Sequence, residues 1–414
     1  MTNQTVEITR GDNMGEQAFT GLRVLDCTQG FAGPYCTKLL ADFGAEVIKV
    51  ERPGEGDATR RMEPFLEDQP HPEKSGTFFY LNTSKKSITL DLKSETGVKI
   101  FKELVKEADV LIENLAPGII PEPGLSYEIL SEVNPQLIMT SISHFGQTGP
   151  YRHYKATSLT VYGLGGAMYT LRPFDKPLDI PVVEGGRQAE YITAMLSFVA
   201  TVAALFSQAG TSRGTQIDIS AIECIASILT AHTGEYSYIG LSRRTNPLAI
   251  HGYPIGYSYP CKDGWISLMP GIGGVPNIPF LIDRPELQDD PLFAKSSARM
   301  AEHEKFDAVI LPWLKEHDKM EITREAQGLR LAFTPVLSPG ELLDDEQLKA
   351  REFFARVNHP IMGEIVFPGA PAKLSETPWQ AGRAPLLGEH NEEVYGRLGY
   401  TREELVILRE EGVI

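Results

Sequence analysis

The chain has 414 residues, more than one hydrophobic core ordinarily organises, so at least two domains are expected. Its formal charge of −16 argues against a nucleic-acid partner, because binding to a phosphate backbone needs concentrated Lys and Arg; an anionic ligand must find local basic groups. No apolar run reaches membrane-spanning length, the N-terminal MTNQTVEITRGDNMGEQ is polar with no signal-peptide core, and Cys27, Cys36, Cys224 and Cys261 form neither a CxxC pair nor a metal-spaced set with His. These features imply a cytoplasmic enzyme with reduced thiols, no metal site and no membrane partner.

In chain order, a short apolar run at Leu22 to Leu25 ends in a turn segment carrying Gly30, Gly33 and Pro34. Leu39, Leu40 and Phe43 then fall at helical spacing, and Glu46 to Glu51 forms a second strand. This strand, loop, helix, strand unit aims bare backbone N–H groups at the carboxyl edge of a parallel sheet, where phosphates and carboxylates commonly sit. Ile100 to Asn114 is a helix handing over to a buried strand, and Thr193 to Phe206 is a helix apolar on most faces, hence expected to be buried. Alternation of strands and helices to about residue 230 predicts an α/β domain. From Arg244 to Pro371, Pro and Gly rise and the helices carry more charge, which predicts a smaller α+β domain.

The stretch GLRVLDCTQGFAGPYCTKLLADFGAEVIKVERPGEGDATR, Gly21 to Arg60, resembles the opening of the class III CoA-transferases, the CaiB/BaiF family. The likeness continues through LNTSKKSITLDL (Leu81 to Leu92), ADVLIENLAPG (Ala108 to Gly118), NPQLIMTSISHFGQTGP (Asn134 to Pro150), TSRGTQIDISAIE (Thr211 to Glu223), Ala332 to Val336, and LGEHNEEVYGRLGY (Leu387 to Tyr400). The resemblance implies a Rossmann-like large domain over 1–230, a small α+β domain with its linkers over 231–370, and a segment 371–414 returning to the large domain. It also implies two chains interlocked as a dimer.

The family's chemistry moves CoA between carboxylic acids: an aspartate attacks the donor thioester, giving a mixed anhydride and then an enzyme-bound CoA thioester, before the acceptor acid takes the CoA. Backbone N–H groups steady the developing oxyanion. CoA and its thioesters are substrates, and no cofactor is held permanently. In GGRQAEYITAMLSFVATVAALFSQAGTSRGTQ, Glu190 occupies the position of that aspartate. The extra methylene moves the carboxylate by on the order of an ångström, and misplacement of that size can cost ~100-fold in rate. Glu190 is therefore either a displaced nucleophile or a helix-start acid that complements the helix dipole.

Two further departures accompany it. Racemases of the family carry a His–Asp pair upstream, where this chain has Ala156-Thr157-Ser158, so the proton-transfer pair of a racemase is missing; His153 is out of register and reads as a surface-loop residue. In ENLAPGIIPEPGL, Glu122 stands where the family has an arginine near the coenzyme phosphates, a repulsive exchange. By match, the coenzyme contacts implied are Gly30, Phe31, Ala32, Arg52, Lys85 and Asn114; Arg52 and Lys85 could equally be ordinary surface cations. Gly273-Gly274 reads as a connection or a loop over the acyl group, and Tyr253, Tyr257, Tyr259 and Trp265 as core packing or an aryl pocket. The altered positions on an intact scaffold resemble chains of the family that work beside a homologous sister subunit supplying the aspartate. A homodimer using Glu190, or a structural or CoA-binding subunit without catalysis, remain the alternatives.

Overall fold

The computed structural model describes residues 17–115, 124–170, 181–240, 258–269 and 274–414; Glu122, Tyr253, Tyr257 and Gly273 fall outside them. The chain forms two compact units. One takes the described residues of 1–165 with Glu184–Ile228 and Glu352–Ile414, and the other takes the described residues of 166–183 and 229–351.

The first unit runs β1 (Arg23–Cys27), α1 (Ala32–Asp42), β2 (Glu46–Glu51), α2 (Gly76–Leu81), β3 (Lys86–Thr89), α3 (Glu95–Lys106), β4 (Val110–Glu113), α4 (Tyr127–Val133), β5 (Ile138–Ser143) and α5 (Ser158–Leu164). After α6 (Ala167–Thr170), which belongs to the second unit, come α7 (Gln188–Thr211), β6 (Thr215–Ser220) and α8 (Ala221–Ser227). The six strands form one parallel sheet in the order β3-β2-β1-β4-β5-β6. Successive strand residues point to opposite faces, and both faces are covered. Leu25, Leu111 and Met139 meet Ile100, Phe101, Leu104 and Leu130 of α3 and α4 on one side. Val24, Val110, Ile112 and Ile138 meet Cys36 and Leu40 of α1 and Ala194 of α7 on the other. A doubly covered sheet needs apolar residues at consecutive positions, which is why these strands do not read as alternating.

Local signals agree with the packing. Ser94 caps α3 by accepting from the Gly97 amide at 2.9 Å, Glu95 lies in the first turn and Lys106 in the last, as the helix dipole favours. Gly33 is required because a Cβ there would sit 2.3 Å from Thr28 Cβ, so α1 could not approach the end of β1 with any other residue.

The C-terminal helices Asn391–Arg397 and Arg402–Glu410 close the open edge of β3. Thr89 N–H donates to Asn391 Oδ1 at 2.9 Å, the Tyr395 hydroxyl donates to Thr89 O at 2.7 Å, and His390 N–H donates to Ser87 O at 2.9 Å. An edge strand with these groups unpaired would template association. The chain re-enters this unit at Glu352, earlier than residue 371, because the antiparallel hairpin of Phe354–His359 and Gly363–Pro368 packs Phe367 on Phe78 and Phe79. In the second unit β7 (Ser258–Cys261), β8 (Gly264–Met269) and β9 (Ala332–Pro335) form an antiparallel sheet over a core with Phe293, Phe306, Ile310 and Ile322. The hairpin of the first unit is β10 (Phe354–His359) with β11 (Gly363–Pro368). Tyr259 is buried and donates to Asp307 at 2.8 Å, as a core role requires, whereas Trp265 is exposed.

Two expectations need correction at α7. By length and composition this 24-residue helix is apolar enough to cross a membrane, a run that scattered hydroxyls hide in the sequence. It is also not buried all round. Ala189, Thr193, Ala194, Ser197 and Thr201 face the sheet, while Met195, Val199 and Phe206 are 47 %, 59 % and 86 % exposed. The sheet-facing hydroxyls of Thr193, Ser197 and Thr201 donate to carbonyls one turn back, and Thr201 also bonds Thr140 at 2.8 Å.

Beneath the β1–α1 turn lies a buried ionic network. Asp26 pairs with Lys85 at 2.9 Å and with Lys49 at 3.8 Å, and Lys49 pairs with Asp57 at 2.9 Å. Thr37 also donates to Asp26, at 2.7 Å. Burial pushes the Asp26 pKa up, but Lys49, Lys85 and the threonine hydroxyls win and hold it well below the carboxylate range. A carboxylate with a depressed folded pKa contributes stability that is complete above its unfolded value of about 4 and lost as pH falls below it. Asp26→Asn is expected to destabilise the chain by ~3–5 kcal/mol at neutral pH, since it leaves two buried ammonium groups facing one carboxylate. Urea titration should show the deficit shrinking as pH drops below 4; an undiminished deficit at pH 3 would contradict the electrostatic cause.

Candidate active site

The strand order reverses direction between β1 and β4, and ligands of open parallel sheets bind outside the carboxyl ends of strands at such a point. Here the two strand ends are clasped together. Gln29 N–H donates to Asn114 Oδ1 at 2.9 Å and Asn114 Nδ2 donates back to Gln29 O at 2.7 Å. Beside the clasp opens a cavity of about 610 Å³. Its walls are Asn114 after β4, Ile142 to Phe145 at the end of β5, Ala221 after β6, Ala32 at the start of α1, Ala189, Glu190 and Thr193 in the first turns of α7, Ser158 and Val161 of α5, and the loop Arg152 to Ala156.

Glu190 is a wall residue, and its side chain is 20 % exposed. Ser158 Oγ donates to its Oε2 at 2.6 Å, and Arg187 Nη1 lies 3.3 Å from its Oε1. Arg187 in turn stacks its guanidinium 3.9 Å from the centre of the Phe31 ring, which fixes the direction from which it meets the carboxylate. The free N–H groups at the start of α7 add positive potential at the same place. His144 is also in the wall; desolvation lowers its pKa against the opposing pull of Glu190. The Tyr162 hydroxyl reaches Glu184 at 3.5 Å, and burial, reinforced by Glu184 and Glu190, pushes its pKa up to about 12. It is therefore a donor at neutral pH. The arrangement holds a hydrogen-bonded carboxylate in the wall of a largely apolar chamber.

The residues matched to coenzyme contacts separate into two sets. Ala32 and Asn114 line the cavity with Glu190. Gly30, at φ +78°, and Phe31 form the turn leading into it. Arg52 is at the surface, half exposed and paired with Glu55 at 2.8 Å. Lys85 must be corrected: its ammonium is buried and donates at 2.9 Å each to Asp26 Oδ2, Pro34 O and Asn82 Oδ1. Three donors and three acceptors leave nothing for a phosphate. Burial, partly offset by Asp26, lowers its pKa to about 8. Glu122 lies outside the described residues.

Sequence reasoning missed Ser158, Arg187 and the cavity-facing loop Arg152 to Lys155. Arg187 stands one helical turn before Glu190 and carried a local signal; Ser158 is 32 positions away, and its one signal was the register in which the family's racemases carry their catalytic pair. His153 is exposed as expected, yet it lines the cavity and accepts from Arg152 Nε at 2.8 Å. Among the described residues no cluster of His, Cys, Asp and Glu is arranged to hold a metal, and all four cysteines are free thiols.

The family profile described as CoA-transferase family III matches residues 19–391. The chain belongs to this family. It is 34 % identical to a formyl-CoA:oxalate CoA-transferase of Streptomyces coelicolor, over 97 % of this chain and 100 % of that protein. It is equally 34 % identical to the succinyl-CoA:(R)-benzylsuccinate CoA-transferase subunit BbsE of Thauera aromatica, over 96 % and 98 %. Among solved structures, a CaiB/BaiF family protein from Brucella suis superposes with a TM-score of 0.83 at 29 % identity, over 92 % of this chain and 100 % of that one. The chain is thus a class III CoA-transferase with the CaiB/BaiF fold.

The contrast between the two matched cations is measurable. Arg52→Ala should change unfolding free energy by no more than ~1 kcal/mol, the range of exposed ion pairs. Lys85→Ala should cost ~3–5 kcal/mol, because it strips a buried carboxylate of a partner. Equal, small losses in denaturant titration would show that Lys85 is not a structural cation.

Proposed function

We propose that this transferase is a subunit that binds an acyl-CoA such as succinyl-CoA and a carboxylic acid, benzylsuccinate being one candidate, and that it works with a homologous sister chain supplying the nucleophilic aspartate. The observation that carries this reading is the state of Glu190. Its carboxylate is already engaged by Ser158 and Arg187, and both contacts stabilise the anion in the ground state. A nucleophile so held gives up those interactions as its charge flows into a mixed anhydride, so it starts from a deeper ground state. The relative named as a subunit supports a multi-chain enzyme, and so does the outer face of α7, where Met195, Val199 and Phe206 expose apolar surface of the kind that marks an interface.

Chemically, the partner's carboxylate attacks the donor thioester carbonyl and expels CoA thiolate, leaving a mixed anhydride. The thiolate attacks the enzyme carbonyl and releases the donor acid. The acceptor carboxylate then attacks the resulting thioester, expelling the thiolate and forming a second anhydride, and the thiolate attacks the acceptor's acyl carbon to give the product thioester and release the enzyme carboxylate. In this chain the clasped turn, Asn114 and the start of α7 supply binding and positive potential. A second reading keeps the chemistry in this chain with Glu190 as nucleophile; its position in the cavity wall at a helix start favours that.

The purified single chain is expected to show little or no transfer from succinyl-CoA to succinate, oxalate or benzylsuccinate. Robust turnover by the single chain, abolished by Glu190→Gln, would sink the heteromer reading and establish Glu190 as the nucleophile.

A further inference from the structure

The loop after β5 carries YRHYK, Tyr151 to Lys155, an unusual density of rings and cations in a chain of net charge −16. Its rings assemble with Phe145. Tyr151 and Tyr154 lie 4.8 Å apart and 30° from parallel, and Phe145 meets both edge-on at 6.2 and 6.3 Å. Tyr151 and Tyr154 are nonetheless 45 % and 58 % exposed. A cluster of three rings whose two tyrosines remain open to water is a surface ready for a planar ligand.

Phe145 and Tyr154 line the cavity that holds Glu190, with Tyr151 backing them. Arg152 and Lys155 line the same cavity, and neither has a carboxylate partner among the described residues. The Arg152 Nε is taken by His153, which leaves the terminal nitrogens directed elsewhere. Unpaired cations beside open rings, in a wall that also carries one anionic side chain, suit a ligand that is itself anionic and bears a ring.

The geometry points to this platform as the determinant of acid specificity: Phe145 and Tyr154 seat the ring of an aryl-substituted dicarboxylic acid, and Arg152 and Lys155 pair with its carboxylates. This deepens the reading of the cavity as the acid site of a transferase and rests on it. An acid with no ring, such as oxalate, would use the cations alone. The seating is binding only and requires no bond change.

The test is calorimetric titration of the full chain with succinate and with benzylsuccinate, which differ by the ring, and in parallel with CoA and with adenosine 3′,5′-bisphosphate. Benzylsuccinate should bind about tenfold tighter than succinate, the size of one good aromatic contact. Tyr154→Ser, at an exposed site that leaves the fold intact by circular dichroism, should remove most of that ratio while succinate affinity stays within about twofold. Lys155→Gln should weaken both acids by a similar factor. A wild-type ratio near one, or a ratio kept in Tyr154→Ser, overturns the inference. So does a Tyr154→Ser variant that loses affinity for the bisphosphate and not for the acid, because the platform would then serve the nucleotide end of CoA. A chain that binds CoA but shows no ring preference overturns this inference alone; one that binds neither CoA nor either acid overturns the proposed function with it.

Discussion

Everything at the carboxyl edge of the sheet depends on the buried carboxylate of Asp26. It lies at the end of β1 and is held by Lys49 of β2, by Lys85 just before β3 and by Thr37 of α1, so a single anion joins three strands to the helix that follows the turn. The pieces are individually expensive to bury, since each ion loses its hydration, and they persist because every charge meets an opposite charge or an oriented hydroxyl. The turn from Thr28 to Ala32 has no freedom once these bonds form: Lys49 also donates to Thr28 O at 2.9 Å, and Gly33 lies against Thr28. The wall of the cavity nearest the switch point is therefore set by ionic contacts beneath it rather than by loop sequence.

A second ionic cluster does the same for the loop between β2 and β3. Arg60 is fully buried, grips Glu51 with two bonds of 2.8 Å, reaches Glu73 at 2.7 Å and stacks 3.6 Å above Phe78. Arginine suits this role because its planar fork satisfies a carboxylate and an aromatic face together, which a lysine could not. Ser87 adds a bond to Glu51 at 2.7 Å, so the returning C-terminal segment, bonded to Ser87 and Thr89, is tied into the same framework. The last part of the chain thus completes the edge of the sheet begun by the first.

What could be read from the sequence follows from how local each cause is. The strand at Glu46 to Glu51 and the helix before β4 rest on neighbouring residues and were legible, whereas the clasp between Gln29 and Asn114 joins groups 85 positions apart and was not. Lys85 was matched correctly to a motif yet given the wrong task, because nothing within a few residues shows that Asp26, 59 positions away, takes its charge. α7 was misjudged for a related reason: its composition is apolar all round, but only the sheet decides which side is covered, and the hydroxyl stripe at Thr193, Ser197 and Thr201 marks that side more faithfully than hydrophobicity does. Glu190 was placed at the family's nucleophile position from its flanking text, while Ser158, its closest partner, comes from another helix and left no trace in spacing.

The site also has to solve a charge problem that the whole chain creates. A protein of net charge −16 repels carboxylates and phosphates at long range, with a reach of about 8–10 Å at physiological salt. Acid and coenzyme both arrive as anions, and one wall of the cavity already carries Glu190. Within that screening length the loop after β5 places Arg152 and Lys155 on the cavity, and Arg187 immediately precedes α7. Arg187 is spent on Glu190 and cancels it locally; Arg152 and Lys155 remain for the incoming acid. The division of labour explains how the cavity can carry the Glu190 carboxylate without closing to anions. It also sets a limit on substitution: neutralising Arg187 would free one carboxylate and raise repulsion for the acid at the same step, so its effect on binding should exceed that of losing a single contact.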